Sequence, residues 1–229
     1  ILTDFYKKYN IHHLPCAHTG AQMGGWFRKE VKTPADLSGL KMRIAGIAGQ
    51  ILAKIGTVPQ QIAGGDIYPA LEKGTIDAAE WIGPYDDEKL GFYKVAPYYY
   101  YPGFWEGGLT LSLFVNAGKW EELPPAYKRI LKDATMTATL VTLGKYDAQH
   151  PQAVKRLVAA GAQLRAFSNE ILDAAYKAAG ELYGELSAKN ADFKKAYDSM
   201  VAFRNDGYLW WQVAEQGFDR FMTRATQRG

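Results

Sequence analysis

The sequence predicts an α/β protein, and three observations support this fold class. Residues 40–82 alternate between strand-like and helix-like segments in the order β-α-β-α-β, which is typical of a mainly parallel sheet with helices on its faces. The 229 residues are 48% hydrophobic and 14% aromatic, enough to bury the core of one large domain or of two smaller lobes. Helical periodicity dominates the second half of the chain, where the longest run covers residues 124–149.

The composition also excludes several classes of protein. A formal net charge of +3 is too small to indicate a nucleic-acid-binding protein, and no basic stripe accompanies it. No apolar run approaches the roughly 18 residues that a membrane-spanning helix needs. The single cysteine, Cys16, rules out a disulfide within the chain.

The first ten residues have the pattern of the last turns of a helix. Apolar residues recur at positions 1, 2, 5, 6 and 9, and Asn10 is a residue type that often ends a helix. A domain rarely begins inside an amphipathic helix whose apolar face has no earlier partner. We therefore expect that the chain is a fragment, or that a preceding segment has been lost.

The next segments alternate regularly. Residues 11–27 are predicted to form a strand and a glycine-broken turn, and a short helix is expected to begin at residues 33–37 with an early proline. The remaining elements of this region are three strands separated by two helices, at residues 40–45, 46–55, 58–62, 65–73 and 76–82. Gly74 follows the second of these helices, where a left-handed residue commonly ends one.

Beyond this unit the prediction changes from loop to helix. Residues 92–104 are aromatic and carry glycine and proline, which indicates a loop, and a strand is expected at residues 109–115. A long helix is expected at 124–149, with Pro151 kinking or restarting it, followed by a short strand at 163–167.

From Ser168, an expected N-cap, the chain is predicted to be helical almost to its end. An apolar stripe at helical spacing would belong either to a core or to an interface with a partner subunit. Its members are Trp210, Val213, Ala214, Gly217, Phe218 and Phe221.

Arg43 is a candidate ligand contact. It alternates with the apolar Met42 and Ile44 near the carboxyl end of its predicted strand, and open α/β sheets bind ligands beyond those ends. Its planar guanidinium could hold a carboxylate with two hydrogen bonds. An ordinary solvated or ion-paired arginine would give the same pattern.

Acidic and amide side chains could share that site. Glu80 and Trp81 end the third strand of the same unit, so they should face the same crevice as Arg43. Glu80 could bind a cation, a ligand ammonium or Arg43 itself, and the direct ion pair is the simplest of these. Glu106 and Gln22 lie in two further loops and would add oxygen ligands of the kind that hard cations prefer, although each could also be a solvated polar residue.

Two other motifs are weaker. His12, His13, Cys16 and His18 suggest zinc, but their spacing does not match a zinc finger, and neighbouring side chains of a strand point to opposite faces. Residues 46–49 (GIAG) could favour an anion at a helix N-terminus, but they match neither Gly-x-Gly-x-x-Gly nor a Walker motif.

The chain resembles a known family, the DctP-type extracytoplasmic solute-binding subunits of tripartite ATP-independent periplasmic (TRAP) transporters. The resemblance spans essentially all 229 residues and rests on five stretches: 19–27 (TGAQMGGWF), 37–44 (LSGLKMRI), 74–84 (GTIDAAEWIGP), 98–103 (YYYYPG) and 116–124 (NAGKWEELP). The first and third of these stretches are similar to the branch of the family that binds 2-oxo acids.

The resemblance implies a type II periplasmic-binding-protein fold, with two α/β lobes around a cleft, a long connecting helix, and the first part of lobe I absent from this chain. It implies that residues 1–20 end lobe I and cross over, and that 21–106 form the βαβαβ unit of lobe II. Residues 107–148 would then return to lobe I and form the connecting helix, and 149–229 would be a C-terminal helical region and candidate dimer arm.

The resemblance also implies the roles of individual residues. In the family the Arg43 position binds the ligand carboxylate, and in the 2-oxo-acid branch a cation bridges ligand and protein, usually sodium, with calcium as the alternative. By position, Gln22, Glu80 and the backbone carbonyl of Trp81 match the residues that hold cation and substrate. Glu106 falls where a further cation ligand is expected.

We therefore expect a periplasmic binding protein, not an enzyme, that captures a small 2-oxo monocarboxylate such as pyruvate and delivers it to a membrane permease. Pairing of two copies through the C-terminal helix is expected as well. One alternative is a metal-assisted enzyme that uses Glu80 or Glu106 as a base. Others are the same binding fold with a 2-hydroxy acid such as lactate as its ligand, and a fragment that cannot bind.

Overall fold

The computed structural model of the chain describes residues 1–226. They belong to two compact units: Tyr6–Leu182, and a smaller unit that joins Ile1–Phe5 to the chain from Tyr183 onward. The larger unit contains two β-sheets whose strands alternate with helices, so the predicted α/β class is confirmed. Among the described residues, no helix has both the length and the apolar composition that crossing a membrane requires.

The elements follow one another nearly in the predicted order. The strands are β1 (Ile11–His18), β2 (Gly25–Phe27), β3 (Lys41–Arg43), β4 (Val58–Gln60), β5 (Ala78–Ala79), β6 (Tyr98–Tyr101), β7 (Thr110–Asn116) and β8 (Gln163–Ala166). The helices are α1 (Leu2–Lys7), α2 (Pro34–Leu37), α3 (Gly46–Lys54), α4 (Gly64–Glu72), α5 (Pro84–Leu90), α6 (Ala117–Glu122), α7 (Pro125–Ala159), α8 (Asn169–Lys189), α9 (Ala191–Val213) and α10 (Glu215–Thr226). Asn10 has a left-handed φ of 58°, as expected of a residue that ends a helix.

The larger sheet is mixed rather than mainly parallel throughout. Its six strands lie in the order β4-β3-β5-β2-β6-β8, with β3 parallel to both β4 and β5, and β6 parallel to β8. Strand β2 runs antiparallel between β5 and β6 and joins the two parallel parts. The second sheet is the antiparallel pair β1-β7.

Buried side chains cover both faces of the six-stranded sheet. Phe27 and Met42 belong to one apolar cluster, whereas Trp26 and Ala79 belong to the other, and all four are fully buried. Strand β2 approaches β5 closely at Gly25, which has a φ of 121° and where a Cβ would lie 2.7 Å from the Ala79 carbonyl oxygen. Only glycine tolerates both that backbone conformation and that contact.

The prediction of an aromatic loop at residues 92–104 is wrong for residues 98–101, because Tyr98–Tyr101 form β6. This strand pairs with β2 on one side and with β8 on the other, and Tyr99 and Tyr100 are buried in opposite apolar clusters. The tyrosines are therefore strand residues within the sheet and not part of a loop.

Pro151 does not restart the long helix, which was one of the two effects that the sequence had suggested. Helix α7 runs for 35 residues and carries this proline in its interior. A proline removes a single helix hydrogen bond, and the segment behind it is held by the burial of Ala153 and Leu157. Tertiary packing thus outweighs the local preference.

The predicted apolar stripe is not part of a core within the described residues. The helix is interrupted at Ala214, whose φ and ψ are −86° and −95°. The other residues of the stripe are therefore divided between α9 and α10. Trp210, Val213, Phe218 and Phe221 are each at least 56% exposed. Of the two roles that the sequence left open, the core is therefore excluded for these four side chains, and the interface stays a prediction.

Candidate functional site at the edge of the mixed sheet

The structure brings Arg43 and Glu80 together at one edge of the six-stranded sheet. Arg43 is the last residue of β3, and Glu80 follows directly after the parallel neighbour β5, where Arg43 pairs with Ala79 in register. Parallel strands that end side by side place the residues after them at the same edge. The expectation that both side chains face one crevice is consistent with their direct contact.

The Arg43 guanidinium makes three polar contacts. Its Nη1 donates to the backbone carbonyl of Glu80 at 2.7 Å and lies 3.0 Å from the carboxylate oxygen Oε2 of the same residue. Its Nε donates to the Ile62 carbonyl at 3.3 Å, and the guanidinium carbon lies 4.9 Å from the centre of the Trp81 ring. The direct ion pair, which sequence reasoning kept as the simplest choice, is therefore the arrangement in this structure.

One guanidinium does not balance the acids around it. The Glu80 side chain is only 6% exposed, and burial raises its pKa to about 8; Arg43 opposes this shift, while the charges of Glu106 and Asp87 add to it. Burial also raises the pKa of Glu106, again against the effect of Arg43. Buried carboxylates in this position favour the uptake of a further positive charge.

Gln22 lies on a loop that is tied to the same edge by backbone hydrogen bonds. The amide of Met23 donates to the Ile82 carbonyl at 3.0 Å, and the amide of Gly103 donates to the Gln22 carbonyl at 3.1 Å. These bonds join the loop of Gln22 to the segments that carry Glu80 and Glu106. The four predicted site residues other than Arg43 therefore lie on three loops that the backbone holds together.

The side chain of Gln22 has an unsatisfied acceptor. Its Nε2 donates to Thr19 Oγ1 at 3.1 Å, whereas its Oε1 is buried and has no partner in the described part of the chain. A buried amide oxygen without a donor is costly, and such atoms call for an explanation. The amide oxygen of Gln22, the carboxylates of Glu80 and Glu106 and the carbonyl of Trp81, which the sequence predicts to share a site, are oxygens of the type that a hard cation prefers.

Asp87 is the site's neighbour that sequence reasoning missed. It is 1% exposed and accepts hydrogen bonds from Trp26 Nε1 at 2.9 Å, Tyr99 Oη at 2.7 Å, and the amides of Ile82 and Gly83 at 3.3 and 3.1 Å. Burial raises the pKa of Asp87 to about 6, and these donors oppose the shift.

The short helix that carries Asp87 also escaped prediction, although its signals are present. Pro84 stands at its first position, two acidic residues lie in the first turn, and Gly91 follows with a left-handed φ of 72°.

The three histidines of the histidine and cysteine motif make contacts within the chain. His12 stacks on Trp120 with ring centres 3.8 Å apart, His13 Nε2 lies 2.8 Å from Ser112 Oγ, and His18 Nδ1 accepts from the amide of Gly20 at 2.9 Å. Across residues 1–226, no group of three or more His, Cys, Asp or Glu side chains is arranged to hold a metal ion. A cation site near Glu80 would thus depend on amide and carbonyl oxygens as well as carboxylates.

Comparison with solved structures defines the class of protein. A TRAP transporter solute-binding protein from Bordetella bronchiseptica RB50 is 54% identical, with a TM-score of 0.96 over 99% of this chain and 68% of that one. It crystallised as a mixed-occupancy dimer in which an active site with copurified calcium and picolinate is contrasted with an apo site. A counterpart from Pseudoalteromonas atlantica T6c, with bound sodium and pyruvate, is 37% identical, with a TM-score of 0.91 over 96% of this chain and 67% of that one. The chain has the fold of solute-binding proteins, as the resemblance implied.

The particular family follows from the sequence itself. Residues 1–190 match the model of the DctP family, described as bacterial extracellular solute-binding protein, family 7, and the chain belongs to this family. It is also 48% identical over 220 residues to a monocarboxylate 2-oxoacid-binding periplasmic protein from Nostoc sp. strain PCC 7120. The expectation of a binding protein rather than an enzyme is confirmed at the level of the family. The chain spans 60% of the length of that curated relative.

Proposed function

We propose that this chain belongs to the periplasmic solute-binding subunit of a TRAP transporter, and that it captures a small 2-oxo monocarboxylate such as pyruvate. One observation carries the proposal: a largely buried Arg43–Glu80 pair stands at a sheet edge, and the loop of Gln22, whose Oε1 is buried without a partner, is hydrogen-bonded to the segment that follows Glu80. The relatives that bind pyruvate or 2-oxo acids support the choice of substrate class.

Arg43 is suited to receive the carboxylate of such a ligand. Its guanidinium donors form a planar fork that matches a carboxylate, and the adjacent Trp81 ring and Ile62 carbonyl limit where the fork can point. When Arg43 turns to a ligand, Glu80 loses a partner that partly offsets its burial. The ligand therefore competes with the Glu80 carboxylate for Arg43. This competition favours a ligand that binds together with a positive charge, because that charge replaces the one that Glu80 loses.

Four residues are proposed to hold a cation: Gln22, Glu80 and Glu106 through side-chain oxygens, and Trp81 through its backbone carbonyl. Sodium or calcium would supply positive charge to the acids and a Lewis-acid contact to oxygens of the ligand. The raised pKa values of Glu80 and Glu106 and the unpartnered oxygen of Gln22 fit this donor set. The substrate would contact Gln22, Glu80 and Trp81 in addition to Arg43.

Calorimetry on the whole protein tests this function. We expect pyruvate to bind in buffers that contain sodium or calcium, to bind far more weakly after both are removed, and to lose affinity in Arg43→Ala. Lactate in the same titration distinguishes 2-oxo from 2-hydroxy acids. The absence of heat with pyruvate in every buffer, or binding that ignores both the cation and Arg43, would contradict the proposal.

Two partners belong to the same proposal. A TRAP solute-binding protein would deliver its ligand to the membrane permease of its transporter. The exposed apolar side chains of α9 and α10 would pair with a second copy of the chain; one solved relative is a dimer. Co-purification with the permease and sedimentation of the wild-type protein test these two partners separately.

A further inference from the structure

The hydroxyl of Thr19 uses all of its hydrogen-bonding capacity inside the chain. Thr19 is 1% exposed, and its Oγ1 donates its single proton to the Gly20 carbonyl at 3.1 Å. The same oxygen accepts from the amide of Leu109 at 3.0 Å and from Gln22 Nε2 at 3.1 Å. A hydroxyl has one proton and two lone pairs, so no capacity remains.

This arrangement fixes the orientation of the Gln22 amide. If the amide were rotated by half a turn, its oxygen would face Thr19 Oγ1, whose proton is already directed at the Gly20 carbonyl. The hydroxyl could then donate to the Gln22 oxygen only by giving up its bond to the buried Gly20 carbonyl, which would lose this donor. The bonds of Thr19 therefore direct the NH₂ group of Gln22 inward and leave Oε1 as the free atom, which agrees with its unpartnered state in the described residues.

We infer that Thr19 is a positioning residue: its hydroxyl ensures that Gln22 offers an oxygen, and not an NH₂ group, to the bound cation. The inference rests on the proposed function and adds a residue that does not itself touch cation or ligand. An amide oxygen attracts a cation, whereas an NH₂ group in its place would repel it. Residues that orient a metal ligand commonly affect metal affinity by about 10–100-fold.

Thr19→Val tests the inference, because it keeps the shape of the side chain and removes the hydroxyl. In the whole protein, titration with calcium in the presence of pyruvate should show calcium affinity about 10–100-fold weaker than in the wild type. Pyruvate affinity at saturating calcium should change little. Thr19→Ser, which keeps the hydroxyl, should restore most of the calcium affinity.

A control separates positioning from a general loss of stability. Thr57 is also buried and donates its hydroxyl to the Leu37 carbonyl at 3.3 Å, remote in sequence from Gln22. Thr57→Val should lower the melting temperature of the cation-free protein but leave calcium affinity unchanged.

A Gln22→Glu background makes the test independent of folding. A carboxylate has two oxygens, so its orientation no longer decides which atom faces the cation. Thr19→Val should therefore weaken calcium binding much less in that background than in the wild type.

The outcomes are distinct. A Thr19→Val protein with wild-type calcium affinity would overturn the inference, and so would an equal loss in the wild-type and Gln22→Glu backgrounds. If the wild type bound neither calcium nor pyruvate, the proposed function itself would fail, and the inference with it.

Discussion

Two buried carboxylates, Glu80 and Asp87, stand at the two ends of the segment 80–87, and they differ in how many partners the chain gives them. Asp87 accepts hydrogen bonds from four donors of the chain itself, and burial raises its pKa only to about 6. Glu80 depends on a single guanidinium, and burial raises its pKa to about 8. Four donors oppose the shift at Asp87, whereas at Glu80 only Arg43 opposes it and the charges of Glu106 and Asp87 add to it.

The difference distinguishes a structural acid from a binding acid. The bonds of Asp87 hold the backbone turn at Ile82 and Gly83, to which the loop of Gln22 is also bonded. Asp87 therefore stabilises the frame on which the site is built. Glu80 has one side-chain partner, Arg43, which a ligand can draw away, and this is the property expected of a binding residue.

Removal of Arg43 should have the largest effect. Arg43→Ala leaves Glu80 buried without its partner and removes the proposed carboxylate contact, and truncation of such a pair costs about 2–5 kcal/mol of binding energy. Pyruvate affinity should fall by at least about 30-fold in calorimetry.

Arg156 provides the matched control for this variant. It pairs with Glu88 at 2.6 Å but is 53% exposed. Arg156→Ala should leave pyruvate binding unchanged, since exposed ion pairs contribute little. Equal losses in the two variants would remove the distinction between the two arginines.

Asp87→Asn should act on stability. The amide can keep two of the four hydrogen bonds, but its NH₂ group must face donors such as Trp26 Nε1. We expect the free energy of unfolding to fall by about 2 kcal/mol in urea denaturation at pH 7. An unchanged midpoint would mean that Asp87 does not support the frame. Asp36→Asn, at an exposed acid that caps α2, is the control for a loss of charge alone.

The pH dependence of stability separates the two acids without a ligand. A raised pKa means that the folded state holds the proton longer, so stability falls as pH rises from the ordinary value to the raised one. For Asp87 this window is from 3.8 to about 6, and for Glu80 it is from 4.5 to about 8.

Between pH 6 and 8, then, only Glu80 of this pair contributes. We expect the cation-free protein to lose about 1–2 kcal/mol of unfolding free energy over this interval. Glu80→Gln should flatten the curve there and leave only the contribution of Asp87 below pH 6, where both acids contribute in the wild type. A slope that survives in Glu80→Gln would assign the titration to another group.

The sequence predicted the edge that carries the site but not the frame behind it. Arg43 and Glu80 could be placed together because both follow from one local β-α-β-α-β pattern. Asp87 could not be recognised, because its donors Trp26 and Tyr99 come from β2 and β6, and β6 itself was predicted to be a loop. The pairing of β6 with β2 and β8 is a non-local interaction. It could not be predicted from the local sequence, whose aromatic residues, glycine and proline indicate a loop. Local sequence patterns therefore predicted the binding residues better than the residues that hold them in place.

Apolar side chains also differ in whether the chain itself supplies all of their contacts. A substitution at an exposed apolar side chain has the smallest effect that we expect. Phe92 is fully buried in the core of the larger unit, whereas Phe218 on α10 is 65% exposed. Phe218→Ser should therefore change the free energy of unfolding of the monomer by no more than about 0.5 kcal/mol. If this surface pairs two copies, the same variant should lower the dimer fraction in sedimentation velocity. Tyr176→Ser, at a side chain of α8 that is 75% exposed, should leave both quantities unchanged. A dimer that survives Phe218→Ser would exclude this side chain from the pairing surface, and a monomer destabilised as strongly as by a core substitution would show that α10 packs against its own chain.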